Sequence, residues 1–287
     1  MDNLLMDNLM KAGFNYPLSI DEVQMPQPDI HQVRMDVLRL DKIHPVISGN
    51  KWFKLKEYLH IALKEGRRHL ITFGGAWSNH IIAAACAAQY AGLSATGIIR
   101  GERPAVLSAT LRAAEEYGMQ LIFISREDYK QKEDPVFLEE LSIRWPGALI
   151  IPEGGAGEPG IKGSMEILRE IDSSPYSHIL CAVGTGTTYK GLAAAAAPGQ
   201  KVIGISVLVP PYHFGGYARH TPELLGFMND WYQATGIPSD LVYTGKLFYA
   251  VMDMVRKDLF PKNARLLVIH SGGLQGNRSL PPGTLCF

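Results

Sequence analysis

Between residues 68 and 152, short apolar runs alternate with stretches of helical period. The runs are HLITF, ATGIIR, MQLIFI and ALII; helical stretches follow Asn79 and cover residues 105–117 and 135–145. Short apolar runs bounded by turn formers read as strands, and strands separated by helices predict a parallel sheet with helical crossovers. Asp134-Pro135 is a good helix start, a capping carboxylate followed by proline at the first helical position. The alternation resumes in HILCAV, KVIGISVL and RLLVIH, and VRMDVLRL near the amino end predicts another strand.

Two breaks interrupt this rhythm. PEGGAGEPGIKG, residues 152–163, is the densest glycine and proline stretch and predicts a domain junction or a mobile site loop. VPPYHFGGYARHTP is poorly patterned, and LAAAAAPG predicts a helix end. The expected class is α/β, with two domains whose parallel sheets are flanked by helices. A small domain over residues 48–159 would be inserted in a larger one made of residues 1–47 and 160–287.

Composition narrows the partners. The chain has 287 residues, a 46% hydrophobic fraction and zero formal net charge, which fits a two-domain globular protein and gives no electrostatic footprint for nucleic acid or an anionic membrane. No uninterrupted apolar run is long enough to cross a bilayer. The start, MDNLLMDNLMKAGF, repeats Met-Asp-Asn-Leu and has no basic region ahead of an apolar one, so a signal peptide is not expected. Cys86, Cys181 and Cys286 lack metal-ligand spacing; no metal is expected, and a reducing cytoplasm fits such cysteine usage.

One helix raises a chemical question. From Lys54, Leu55, Tyr58, Leu59 and Ala62 form one apolar stripe, with Gly66 as the stop. Lys51 stands just ahead, in a Ser-Gly-Asn lead-in, where the helix dipole disfavours an ammonium. Partly desolvated there, Lys51 would become a neutral amine able to attack a carbonyl. On position alone, an exposed lysine reaching to water is the more ordinary reading.

Two strand-to-helix loops share one design. HLITFGGAWSNHIIAAACAAQYAG runs from a strand through Gly-Gly to Trp77, Ser78, Asn79 and His80, then into an alanine-rich helix. HILCAVGTGTTYKGLAAA runs from a strand through Gly184, Thr185, Gly186, Thr187 and Thr188 into another. Backbone amides freed by glycine, with hydroxyls at a helix amino end, stabilise an anion. The second loop is neither a P-loop nor a dinucleotide fingerprint, because Tyr189 stands in the third glycine's place. It suits one compact phosphate, or it is a tight turn with hydroxyl caps. The first lacks the second glycine of a serine-nucleophile elbow and suits a carboxylate, or simple N-capping. Two anion cradles and an amine together suggest a phosphorylated aldehyde cofactor, pyridoxal 5'-phosphate, and an amino-acid substrate.

The blocks SGNKWFKLKEYL, FGGAWSNH, IPEGG, GTGTTYKGL, VYTGK and IHSGG, in this order, resemble the 1-aminocyclopropane-1-carboxylate deaminase/D-cysteine desulfhydrase family. That family belongs to the tryptophan synthase β-like, fold type II pyridoxal phosphate enzymes. The resemblance spans about residues 30 to 273. It implies that Lys51 carries the cofactor covalently and that Gly184–Thr188 cradle its phosphate in the larger domain, with Lys54 helping. Asn79 would meet the phenolic oxygen. Ser78 would hold the substrate carboxylate and move a proton, beside Trp77, Asn79 and His80. Tyr243 and Tyr217 match two active-site tyrosines, with substrate expected between the sheets, at carboxyl ends of strands. A homodimer is also implied.

Two positions bear on the reaction. The family's deaminases have glutamate after the first tyrosine and leucine before the late Gly-Gly, where this chain has Thr244 and Ser271. A hydroxyl does not hold the pyridine nitrogen protonated as a carboxylate does, which favours α,β-elimination over opening a cyclopropane. The resemblance therefore implies a D-cysteine desulfhydrase-like enzyme giving a 2-oxo acid and ammonia, with sulfide from cysteine. Cyclopropane deamination, racemase or dehydratase chemistry, and a non-catalytic module for a phosphorylated metabolite are the alternatives. The chain departs from the family at Trp77, usually glutamine, in the tail LQGNRSLPPGTLCF, and in a shortened stretch before Tyr243.

Overall fold

The computed structural model describes residue 14, residues 17–24 and residues 32–287; the tandem Met-Asp-Asn-Leu start lies outside the described residues. The chain folds as two compact units. Lys51–Gly163 builds the first, and Ser164–Phe287 with the segment ending at Asn50 builds the second. The observed divides fall at Asn50/Lys51 and Gly163/Ser164, against 48 and 159 expected from the sequence.

In the first unit, β3 (His69–Gly74), β4 (Ser94–Arg100), β5 (Met119–Ile124) and β6 (Leu149–Ile151) form an all-parallel sheet in the order β5-β4-β3-β6. Side chains alternate across a strand, so each face takes its own helices. Ile71, Phe73 and Ile98 meet Leu141, Phe137 and Leu138 of α4 (Pro135–Arg144) on one face. α2 (Asn79–Tyr90) packs against β3 and β4, with α3 (Ala109–Glu116) beside it. Residues 79–88 of α2 are all buried, so the alanines that make the helix narrow let it be enclosed. The helix expected over 105–117 starts at Ala109 because Ser108 Oγ accepts the Leu111 N–H at 3.1 Å and caps it there.

α1 (Asn50–Lys64) begins four residues earlier than the apolar stripe suggests, so Lys51 lies in its first turn. The 152–163 stretch is no simple junction: α5 (Glu158–Arg169) starts inside it. Its residues also hold α1, through Lys54 Nζ to Gly154 O at 3.2 Å, Tyr58 Oη to Ala156 O, and Lys162 to Glu57 at 2.9 Å. A side chain at Gly163 would fall 1.8 Å from Phe53 O, so glycine is required for the two helices to approach.

In the second unit, β1 (Ile20–Val23), β2 (Arg34–Arg39), β7 (His178–Val183), β8 (Lys201–Ser206) and β9 (Arg265–His270) form a sheet in the order β1-β2-β9-β7-β8. All neighbours are parallel except β1 with β2. Met35, Val37, Leu180, Ile205 and Val268 pack against Leu247, Phe248 and Val251 of α8 (Thr244–Arg256) and Trp231 of α7 (Pro222–Thr235). α6 (Thr187–Ala195) covers the other face, where Gly204 leaves room for the Tyr189 ring. The tail packs Leu280 and Leu285 against Leu224 and Met228, while Cys286 N–H donates to Asn229 Oδ1 at 2.9 Å.

Candidate active site

In the first unit, polar side chains gather where β3 turns into α2. A side chain on Gly74 would strike Ile81 at 2.4 Å and Ser78 Oγ at 2.7 Å, so glycine lets the serine fold back over the strand end. Ser78 Oγ accepts the Ile81 N–H at 3.3 Å and caps α2; Trp77 is half-buried in the turn, and Asn79 and His80 are buried.

The protonation of His80 can be read from its partners. Thr72 Oγ1 donates its hydrogen to Ile151 O at 2.9 Å, so it can only accept from His80 Nε2, at 2.8 Å. The ring is therefore the Nε2–H tautomer, and its Nδ1 is a buried acceptor with no hydrogen-bond partner among the described residues. Burial pushes His80 down to about 3, with the charges of Lys51 and Lys54 adding in the same direction. His80 therefore stays neutral. Gly155 of the IPEGG block closes this corner: a side chain there would come 3.1 Å from Lys54 Cβ and 3.5 Å from His80 Cε1.

In the second unit, β7 ends in the Gly184–Thr188 loop. Gly186 takes a left-handed φ of 79° and gives α6 no side-chain cap. The amides of the first turn thus have no donor-satisfying side chain from that position. Thr185 and Thr187 hydroxyls lie 3.0 Å apart, and Thr187 and Thr188 are buried. Asn50 Nδ2 donates to Thr188 Oγ1 at 2.7 Å, while Asn50 N–H donates to Ser271 O at 3.3 Å. The residue bonded next to Asn50 is Lys51. The Ser-Gly-Asn and Ser-Gly-Gly blocks meet backbone to backbone here: a side chain on Gly49, at φ 68°, would lie 1.9 Å from Ser271 O.

Of the two candidate tyrosines, Tyr243 borders this loop and Tyr217 meets Tyr243. A side chain on Gly184 would come 3.1 Å from the Tyr243 ring, and the Tyr217 and Tyr243 rings meet edge to face at 6.4 Å. Thr244 is held by a residue that sequence reasoning passed over, Asp240. Its Oδ1 accepts from Thr244 N and Thr244 Oγ1, each at 2.8 Å; its Oδ2 accepts from Val242 N at 2.9 Å and Tyr243 N at 3.0 Å. Thr244 Oγ1 in turn accepts the Asp240 N–H at 2.7 Å. Burial raises the Asp240 carboxyl above its ordinary range, against the pull of these donors. The hydroxyl proton of Thr244 is thus committed to Asp240.

The sequence-predicted residues form two sets, Lys51, Lys54, Trp77, Ser78, Asn79 and His80 in the first unit, and Gly184–Thr188, Tyr217, Tyr243, Thr244 and Ser271 in the second. Asn50, Asp240 and Lys246 were missed, although each stands inside or just before a block that carries the resemblance.

A phosphorylated aldehyde fits this chemistry. An uncapped amino end of a nine-residue helix with an open glycine and adjacent hydroxyls accepts a phosphate. A buried histidine held neutral, with a bare acceptor near two lysines, suits a polar ligand that brings a donor. Fold and site thus define a pyridoxal phosphate enzyme of the fold type II architecture. A family model described as "Pyridoxal-phosphate dependent enzyme" matches residues 29–221, and the chain belongs to that family.

Among curated relatives, the chain is similar to the mitochondrial bifunctional D-cysteine desulfhydrase/1-aminocyclopropane-1-carboxylate deaminase of Arabidopsis thaliana, 28% identical over 80% of this chain and 70% of that one. It is also similar to the D-cysteine desulfhydrase of Klebsiella pneumoniae, 25% identical over 87% and 90%. A crystal structure of an ACC deaminase homologue superposes with a TM-score of 0.79 at 25% identity, covering 96% of this chain and 97% of the other. O-ureido-L-serine synthase, at 15% identity and TM-score 0.68, shares the fold.

Proposed function

We propose that this enzyme acts on a small amino acid, removing its α-proton and a β leaving group and, with one water taken up to displace the nitrogen, giving a 2-oxo acid and ammonia, with sulfide released from cysteine. Pyridoxal phosphate, when bound, supplies the electron-withdrawing ring that acidifies the substrate's α C–H bond. Lys51 Nζ would carry the cofactor covalently and, once released, take the α-proton. The Gly184–Thr188 amides and hydroxyls would hold the phosphate. Ser78 Oγ, at the head of α2, would orient the substrate carboxylate, and Asn79 the phenolic oxygen. Tyr243 and Tyr217 would hold or move a proton at their hydroxyls.

The carrying observation is the Asn50–Thr188 bond, which ties the residue beside Lys51 to the glycine-threonine loop. The choice of elimination rests on Thr244. The carboxylate bonded to it, Asp240 in the turn before α8, already accepts four hydrogen bonds, so it offers no charged partner in place of the family glutamate. A cytoplasmic homodimer is part of this reading, supported by the cysteine usage and by the resemblance.

Ammonia and sulfide release measured over D- and L-amino acids, with 1-aminocyclopropane-1-carboxylate alongside, tests the reading. D-cysteine should be turned over fastest, and Lys51→Ala should lose the borohydride-reducible attachment of the cofactor. Preference for the cyclopropane substrate overturns the assignment, and an attachment that survives in Lys51→Ala overturns the role of the lysine.

A further inference from the structure

α8 carries a lysine on its buried side. Lys246 is fully buried, and its Nζ donates to His213 O and Gly216 O at 2.7 Å each, with Val207 O at 3.5 Å. An ammonium has three donors and no acceptor. All three are directed at backbone oxygens of one irregular segment, the one that precedes Tyr217.

That segment is costly to hold. Phe214 at φ 47° and Ala218 at φ 52° are non-glycine residues in the left-handed region, beside Gly215 at 91° and Gly216 at 113°. Such conformations persist where surrounding contacts over-determine them. Gly215 N–H donates to His213 Nδ1 at 2.8 Å and Gly216 N–H to His213 O at 3.0 Å, a turn whose carbonyls face inward. Outside it, Tyr212 Oη donates to Asp253 Oδ2 at 2.7 Å.

We propose that Lys246 is the internal cation around which residues 207–216 fold, and that by gripping Gly216 O it sets Tyr217 against Tyr243. Lys246 is then a positioning residue for the tyrosine pair, as Asp240 is from the other side through the Tyr243 N–H. Facing an apolar side chain, His213 O would keep only the Gly216 N–H and Gly216 O only the Arg219 N–H at 3.2 Å, so both would lose their charged donor, and the loop needs the charge and not merely the volume. Burial pushes Lys246 down to about 8, opposed by the Asp240 charge, which leaves the ammonium the main form at neutral pH. The link from Lys246 to the loop stands alone; the link from loop to catalysis rests on the proposed roles of Tyr217 and Tyr243.

Hydrogen exchange on the full chain, read by mass spectrometry, tests the first link without cofactor or substrate. In Lys246→Met, peptides over residues 207–221 should exchange roughly ten- to a hundredfold faster, the loss expected for hydrogen bonds to a charged group, while β7 and β9 stay protected. Should Lys246→Met fail to fold, Lys246→Gln keeps two N–H donors and should show a smaller rise in the same peptides. Unchanged exchange there in a folded variant overturns the proposal. For the second link, Lys246→Met should lower kcat for ammonia release by about as much as Tyr217→Phe, and add little in the Tyr217→Phe background. Full additivity overturns the positioning role. A wild-type protein that binds no cofactor sinks the functional reading and leaves the exchange result standing.

Discussion

Asn50 Nδ2 donates to Thr188 Oγ1 at 2.7 Å across 138 residues of chain. The bond joins the start of α1 to the second residue of α6, and so couples the residue before Lys51 to the loop proposed to hold phosphate. Removing either partner should loosen the loop without disturbing the sheet. Asn50→Ala and Thr188→Val should each weaken cofactor affinity about five- to tenfold, the worth of one buried hydrogen bond. A double-mutant cycle by absorbance titration should give a coupling of about 1 kcal/mol; simple additivity would show that the bond does not serve the cofactor.

Gly49 admits no side chain. Its φ is 68°, and a methyl group would overlap Ser271 O. Gly49→Ala should cost about 3 kcal/mol or more, combining backbone strain with a clash against main chain that cannot move aside. Urea unfolding would show it as a lowered midpoint. An unchanged midpoint would mean that the Ser-Gly-Asn and Ser-Gly-Gly segments separate easily.

A glutamate after Tyr243, the residue the resemblance implies for the deaminases, would here bury a second carboxylate against Asp240. Thr244 is fully buried and bonded to that group twice. Thr244→Glu should therefore destabilise by about 3–5 kcal/mol, as an uncompensated buried charge does. Thr244→Ser should stay within about 1 kcal/mol of wild type, since it keeps the hydroxyl. Thermal melts of the pair decide the matter, and a stable Thr244→Glu protein would show that Asp240 can take up a proton.

His80 makes stability fall in acid. Folded, it titrates near 3; unfolded, near 6.5. Between these values the unfolded chain binds the extra proton, so the contribution is complete above about pH 6.5 and is lost as pH falls toward 3. The full span is on the order of 5 kcal/mol. His80→Gln, which keeps a donor for Thr72, should flatten the acid limb of stability against pH. A limb of unchanged steepness would assign acid sensitivity elsewhere.

The strand-helix alternation and both glycine loops were legible because each is encoded within a few residues. β1 was not: IDEV has no apolar run, and the strand is held by pairing with β2 and by the Arg39–Asp21 ion pair. The start of α1 was placed late because its first turn is fixed by Ser271 and Thr188, far away in sequence, and not by its own stripe. Asp240 lay within reach, four residues before Thr244 at a helix start, where an aspartate commonly caps. Lys246 was also visible as a charge interrupting an apolar helix face; what no local pattern could reveal is that its partners are carbonyls of residues 207–216.

The alanines of α2 have a mechanical consequence. Ala83, Ala84, Ala85, Ala87 and Ala88 possess no rotamers, and all are buried. Where a larger side chain could swing aside to absorb a misfit, this helix can only translate or tilt as a rod. Any enlargement along its buried length would therefore be delivered to its amino end, moving Ser78, Asn79 and His80 together like the tip of a lever. A single methyl group three turns away would thus detune the proposed carboxylate site without touching it.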